Sequence, residues 1–314
     1  LFPQLIAGPI VRYHEIAGQL RERTTRIDDI ADGALRFFHG LVKKVIIADA
    51  AAVIADAAFS TQSGELTTGV AWVGVVAYTV QIYFDFSGYS DMAIGLGRIF
   101  GFHFPENFRR PYSAVSITDF WRRWHITLSN WFRDYVYFPL GGSHHGRSRT
   151  YANLTLVFFL TGLWHGANWT FVIWGMYHGA LLIIERASGL RTVDPDAQYA
   201  PLRRIATLLL VMVGWVIFRS PDMGYAIDYL SAMLTPHGWS LAPIADALTN
   251  RDVLLTSVGM LVFLLPGRFS GADLLVRPGP WPAAARAATV LVLVPYAAIL
   301  IASGSFSPFL YFQF

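Results

Sequence analysis

Residues 158–180 read FFLTGLWHGANWTFVIWGMYHGA, an apolar passage interrupted by two histidines, His165 and His178, and one amide side chain, Asn168. Both flanks, residues 151–163 and 169–184, are apolar enough to sit in lipid or in a protein core. The turn Gly166-Ala167-Asn168 divides the passage into two helices and leaves His165 at the bend. Asn168 is expected to cap the second helix, because its side chain accepts from the first free backbone N–H groups. An ionisable side chain at membrane depth is costly, so His165 carries a functional hypothesis. The plainer alternative is a helix-end histidine bonded to a backbone carbonyl. His178, inside the following helix, is expected to tolerate replacement.

Such a passage needs a matching solvent, and the composition supplies it. Only 14% of the 314 residues are charged and 54% are hydrophobic, whereas a soluble domain carries roughly 25% charged residues. Several windows provide the roughly 17–25 apolar residues of a spanning helix. The expected fold is all-α, a polytopic membrane helix bundle. The chain has no cysteine, which removes disulfides, zinc-thiolate sites and cysteine nucleophiles. A net charge of +3 fits basic cytoplasmic loops better than a nucleic-acid surface. The chain opens Leu1-Phe2-Pro3 with neither Met nor a signal pattern, so a preceding portion is expected to be missing.

Residues 2–10 are apolar but broken by Pro and Gly, suiting irregular backbone buried against protein. Residues 37–59 begin with His39, Lys43 and Lys44 and place Asp49 and Asp56 on one helical face, giving a weak spanning helix or an interfacial one. Residues 70–84 form a membrane helix leading into Asp85 and Asp91. Carboxylates in an apolar run need partners, and Arg98 is expected to serve Asp91. Gly88, Gly95, Gly97 and Gly101 allow close helix approach.

Residues 116–139, SITDFWRRWHITLSNWFRDYVYFP, read as one amphipathic helix. Ser116 and Asp119 suggest a capping box, and Trp121, Trp124, Leu128, Trp131 and Tyr135 recur at helical spacing. The helix is too polar to span but suits the interface. It is either an anchor without chemistry or a face on which Arg122, Arg123 and His125 meet a charged donor. His144 and His145 lack further ligands at metal-site spacing, so a solvated loop is expected there and no metal.

Basic loops at residues 144–150 (Arg147, Arg149) and 185–204 (Arg186, Arg191, Arg203, Arg204) place both hairpin ends in the cytoplasm. Residues 205–218 cross, the loop reaching residue 252 lies outside, and residues 253–265 return. Arg268, Arg277 and Arg286 mark a third cytoplasmic loop before residues 287–302 cross again. No phosphate-loop, dinucleotide, zinc-protease or Gly-x-Ser-x-Gly pattern appears.

Three runs carry a family likeness: QIYFDFSGYSD at residues 81–91, DFWRRWHITLS at 119–129 and GLWHGA at 162–167. Together they resemble the membrane-bound O-acyltransferase family, most of all its bacterial branch that acetylates alginate and related polysaccharides. The opening PQLIAGP and closing PFLYFQF resemble that branch too, so the likeness covers nearly the whole chain.

The resemblance implies a single membrane-embedded acyltransferase domain over residues 1–314, with interfacial or re-entrant helices around a central tunnel. It also implies further membrane helices ahead of the PQL motif in full members. It assigns His165 to the family's transfer histidine and His125 to its other motif histidine. It implies residence in the bacterial inner membrane and transfer of an acetyl group from a cytoplasmic donor, acetyl-CoA or another acyl thioester, with no bound cofactor. The acceptor would be an exported polysaccharide, reached through a periplasmic acetyltransferase partner. D-alanyl transfer to teichoic acid is the alternative within the family; a transporter or export channel is the one outside it.

In chemical terms a histidine in apolar surroundings can act as a base toward an acceptor hydroxyl attacking the acyl carbonyl. Asn168 or backbone N–H groups near Gly166 are candidates to hold the oxyanion. Asp85, Asp91, Arg122, Arg123 and Asn168 are candidates for the tunnel or for donor binding.

Overall fold

A computed structural model describes residues 8–190, 199–265 and 277–304, and every regular element among them is helical. The PQL opening through Ala7, Arg191, Arg268 and the PFLYFQF close lie outside the described residues. Three helices are long and apolar enough to cross a membrane: Thr68–Ile99, Ala200–Arg219 and Pro280–Ala302. They coincide with three of the expected crossings. The returning segment is a helix over Asn250–Leu264, shorter than a span. Neither arm of the 158–180 hairpin is among the three. The first arm opens with Arg147, Arg149 and Asn153, and the second carries His178, Glu185 and Arg186.

The chain divides into two compact units, each assembled from separate stretches. Among the described residues, the first takes 8–52, 80–110, 250–265 and 277–304. Here α1 (Tyr13–Arg21) is followed by α2 (Ile27–Val42), which runs into a π-helical turn, Lys43–Ala48, before α3 (Asp49–Phe59). The C-terminal part of α4 (Thr68–Ile99) packs on α2 through glycines, as expected for Gly88 and Gly95. A Cβ on Gly88 would lie 2.8 Å from the Gly40 carbonyl oxygen, and one on Gly33 would lie 2.7 Å from that of Gly95.

This close approach brings buried charges together. Lys43 Nζ donates to Asp91 at 2.8 Å, and Lys44 Nζ meets Asp49 at 2.8 Å and Asp85 at 2.7 Å. Arg36 bonds Asp91 at 2.8 Å and Glu106 at 3.0 and 2.7 Å. Arg98, expected to serve Asp91, instead pairs with Asp29 and Asp32 at 3.2 and 2.8 Å. Seven residues along one helix are about 10 Å of rise, so a neighbouring helix supplies the nearer cations.

Among the described residues, the second unit takes 53–79, 111–190 and 199–249. Its centre is the expected hairpin, α7 (Gly146–His165) and α8 (Trp169–Ala187). The arms meet at Gly162 and Gly175; a Cβ on Gly162 would lie 2.5 Å from the Phe171 carbonyl oxygen, so only glycine permits this spacing. Beside the hairpin runs α9 (Ala200–Arg219), followed by α10 (Met223–Leu234). Tyr229 of α10 stacks on Phe59 at 4.4 Å and donates to the Ala71 carbonyl at 3.0 Å.

The single helix expected over residues 116–139 is three pieces: α5 (Ile117–Trp121), α6 (Ile126–Phe132) and a π-helical turn, Arg133–Tyr137. The break falls at His125, whose φ of +43° is left-handed and ends any helix passing through it. The aromatic stripe divides with it. Trp121, Trp124 and Leu128 are buried, whereas Trp131 and Tyr135 are exposed.

Candidate active site

Each motif histidine sits at the end of a helix. His125 precedes α6, and His165 is the last residue of α7. Gly166 follows His165 without a side chain, and a Cβ there would come within 2.7 Å of the Phe171 ring. That close contact folds α8 back beneath the histidine. Asn168 caps α8 as expected, accepting from Thr170 N at 3.2 Å, and its amide nitrogen donates to the Pro221 carbonyl at 2.9 Å. Its amide is thus engaged at both ends, and the Gly166 N–H donates to the Leu163 carbonyl at 3.2 Å.

His165 stands in an aromatic cage. Its ring centroid lies 4.9 Å from Trp164, 5.1 Å from Trp174, 5.2 Å from Phe218 and 6.4 Å from Phe171. Trp164 links the two histidines, since its ring is also 6.2 Å from His125. His125 is buried and His165 half-buried. The cage continues into a wider cluster in which Trp174 packs on Trp121, and Trp215 packs on Trp124. Trp215 donates to the Tyr112 hydroxyl at 3.1 Å, which donates to the Thr79 carbonyl at 3.1 Å.

The segment carrying His125 is held from both sides. Ser116 caps α5 by accepting from Asp119 N at 3.0 Å; the return bond of Asp119 reaches Val115 N at 3.2 Å, one residue before the box position. From α8, Glu185 accepts from the backbone N–H of Ile117 and from the N–H and hydroxyl of Thr118, the latter two at 2.8 Å. The helix that begins under His165 therefore ends by anchoring the segment that carries His125.

An O-acyl transfer needs a base, a route for an apolar-bound donor and a carbonyl polarised by N–H groups. A histidine pair at the mouth of a helical hairpin offers the first of these. A sequence model described as MBOAT, membrane-bound O-acyltransferase family, matches residues 1–219. The chain belongs to that family.

Curated relatives agree. A Pseudomonas fluorescens protein named "probable alginate O-acetylase AlgI" is 44% identical, covering all of this chain and 71% of its own length. A peptidoglycan O-acetyltransferase of Helicobacter pylori is 43% identical over 78% of this chain and 47% of its own. A teichoic acid D-alanyltransferase of Bacillus subtilis is 34% identical over 68% of this chain and 55% of its own. The protein is thus a membrane O-acyltransferase.

Within this acyltransferase the remaining candidates fall apart by location. Arg122 and Arg123 flank His125 in the second unit; Arg122 is exposed, and Arg123 pairs with Asp119 at 2.7 Å. Asp85 and Asp91 belong to the first unit, where lysines and Arg36 hold them. His144 and His145 lie in an exposed loop.

Proposed function

We propose that the protein moves an acetyl group from a cytoplasmic acyl thioester for O-acetylation of an exported polysaccharide. The alginate and peptidoglycan acetylating relatives favour that acceptor class. A residence in the bacterial inner membrane with several crossings, and hand-over through a periplasmic partner, complete the reading. D-alanyl transfer is the lesser alternative, because that relative is less similar and overlaps less of the chain.

The observation that carries the mechanism is His165 at the α7–α8 break, caged by Trp164, Trp174 and Phe218. As a neutral imidazole it takes the proton from the acceptor hydroxyl while that oxygen attacks the acyl carbonyl. The tetrahedral intermediate then collapses, the C–S bond breaks, and the imidazolium returns its proton to the departing thiolate. Backbone N–H groups at the turn stabilise the oxyanion. His125, joined to the cage through Trp164, orients the second reactant.

The test is acetyl ester on secreted polymer in a deletion strain complemented with wild-type protein or His165→Ala, at matched membrane protein level. Removing a general base lowers the rate about 10²–10⁴-fold, enough to erase the ester. Normal ester in His165→Ala would place the base elsewhere. Lost polymer with unchanged acetylation in the deletion strain would instead support an export channel.

A further inference from the structure

His178, expected from the sequence to tolerate replacement, has no part in the mechanism above, yet it is the most enclosed histidine of the second unit. Its side chain is 0% exposed, and neither ring nitrogen has a hydrogen-bond partner among the described residues. The surroundings are rings: Trp121 at 5.2 Å, Trp174 and Tyr177 at 5.3 Å, and Phe120 at 6.3 Å. Gly214 of α9 admits the imidazole, since a Cβ there would lie 2.7 Å from Nε2.

Two of those neighbours share its condition. The indole N–H groups of Trp121 and Trp174 are buried and also lack partners among the described residues. Trp215, in the same cluster, has its N–H satisfied by Tyr112. The unsatisfied groups are therefore gathered around one imidazole rather than spread through the cluster. Trp174 connects them to the reaction, with its ring 5.3 Å from His178 and 5.1 Å from His165.

Leaving a buried polar group without a partner destabilises the fold, and an apolar ring of the same outline would avoid that cost. Such groups in a native protein call for an ordered water or a role in catalysis. A neutral imidazole offers one donor and one acceptor, and each indole offers one donor. The complement of that set is a hydroxyl-type group, which accepts from N–H and donates to the bare ring nitrogen.

We infer that His178 is a positioning residue for transfer at His165: with the indole N–H groups of Trp121 and Trp174 it holds one hydroxyl-type group, a water or a hydroxyl of the acceptor, and so fixes the Trp174 wall of the cage. The inference rests on the transfer reading above and gives that site a polar inner boundary.

The experiment uses the whole protein in its own membrane, with His178→Phe, His178→Gln and Trp174→Phe beside His165→Ala. His178→Phe fills the same space without polar atoms. It is expected to accumulate at wild-type level while polymer ester falls at least tenfold. His178→Gln, which keeps a donor and an acceptor, should return ester to within about threefold of wild type, in keeping with the donor–acceptor requirement. Trp174→Phe keeps a six-membered ring and removes the N–H together with the five-membered ring that bears it, so it should lower ester severalfold; it decides the matter if His178→Phe does not accumulate.

Membranes supplied with acetyl-CoA and de-esterified polymer then separate the two sources. A fall in kcat at constant acceptor KM marks a water, and a raised acceptor KM marks the acceptor's hydroxyl. Normal ester in His178→Phe and Trp174→Phe at equal protein level, or no advantage of Gln over Phe at position 178, overturns the proposal. If His165→Ala is inactive in the same experiment, only the role of His178 has failed; if it is active, the transfer reading has failed.

Discussion

Glu185 and Thr118 are joined twice: one carboxylate oxygen of Glu185 accepts both the backbone N–H and the hydroxyl of Thr118, each at 2.8 Å. The pair ties the far end of α8 to the start of α5, so the His125 segment cannot shift independently of the hairpin. Glu185→Ala removes acceptors from the first turn of α5 and should lower stability by about 2 kcal/mol. Glu185→Gln keeps one acceptor oxygen and should fall between. Thermal unfolding in detergent, with polymer ester read in parallel, checks both; identical melting of Ala and wild type would remove the anchor.

His125 occupies a backbone conformation that most side chains avoid. His125→Ala is expected to reduce transfer at least about tenfold while the protein still inserts, because Trp121, Trp124 and Leu128 hold the segment by burial. His125→Gly, which accepts a positive φ without strain, should accumulate better than Ala and be as inactive. Normal acetylation in either variant would reduce His125 to a bend in the chain.

Lys44 is almost fully buried between Asp49 and Asp85. Lys44→Met leaves two carboxylates without their cation and should destabilise by about 3–5 kcal/mol. Adding Asp85→Asn to Lys44→Met should recover part of the loss. Membrane protein level and detergent melting report the effect. A Lys44→Met protein as stable as wild type would show that the cluster is dispensable for folding.

Ser240 is exposed in the loop after α10, and Arg147 is exposed at the start of α7. From the alternation of basic and balanced loops they are expected on opposite sides of the membrane. The chain has no native cysteine, so Ser240→Cys should react with an impermeant maleimide in intact cells. Arg147→Cys should react only after lysis. The reverse pattern would invert the topology.

Much of this architecture was legible from residue order because the signals are local. Gly166-Ala167-Asn168 marks a turn and a cap, and the caps at Ser116 and Asn168 act over two or three residues. The break at His125 was not legible: Trp-Arg-Arg-Trp-His-Ile contains no Gly or Pro, and a left-handed histidine leaves no compositional trace. Nor was the Glu185 anchor, which reaches back over more than sixty residues to Ile117 and Thr118. The cage around His165 draws Phe218 from α9, and Asp91 takes its cations from α2 and the turn after it, not from its own helix. Long-range partners are set by packing, which a linear reading cannot order. His178 shows the same limit, since its lack of hydrogen-bond partners among the described residues is a property of its neighbours.

The π-helical turn Lys43–Ala48 accommodates one residue more than an α-helical path would. Removing a single residue there would let the backbone relax into regular helix at little local cost. The helices on either side would keep their facing, because the turn absorbs its extra residue within itself, and the side chains inside the turn would change direction. Lys43 and Lys44 could no longer each face their own carboxylates, although no charged residue had been lost. The length of this turn is therefore as much a part of the charge arrangement as the charges themselves, and a one-residue deletion would act as an electrostatic mutation.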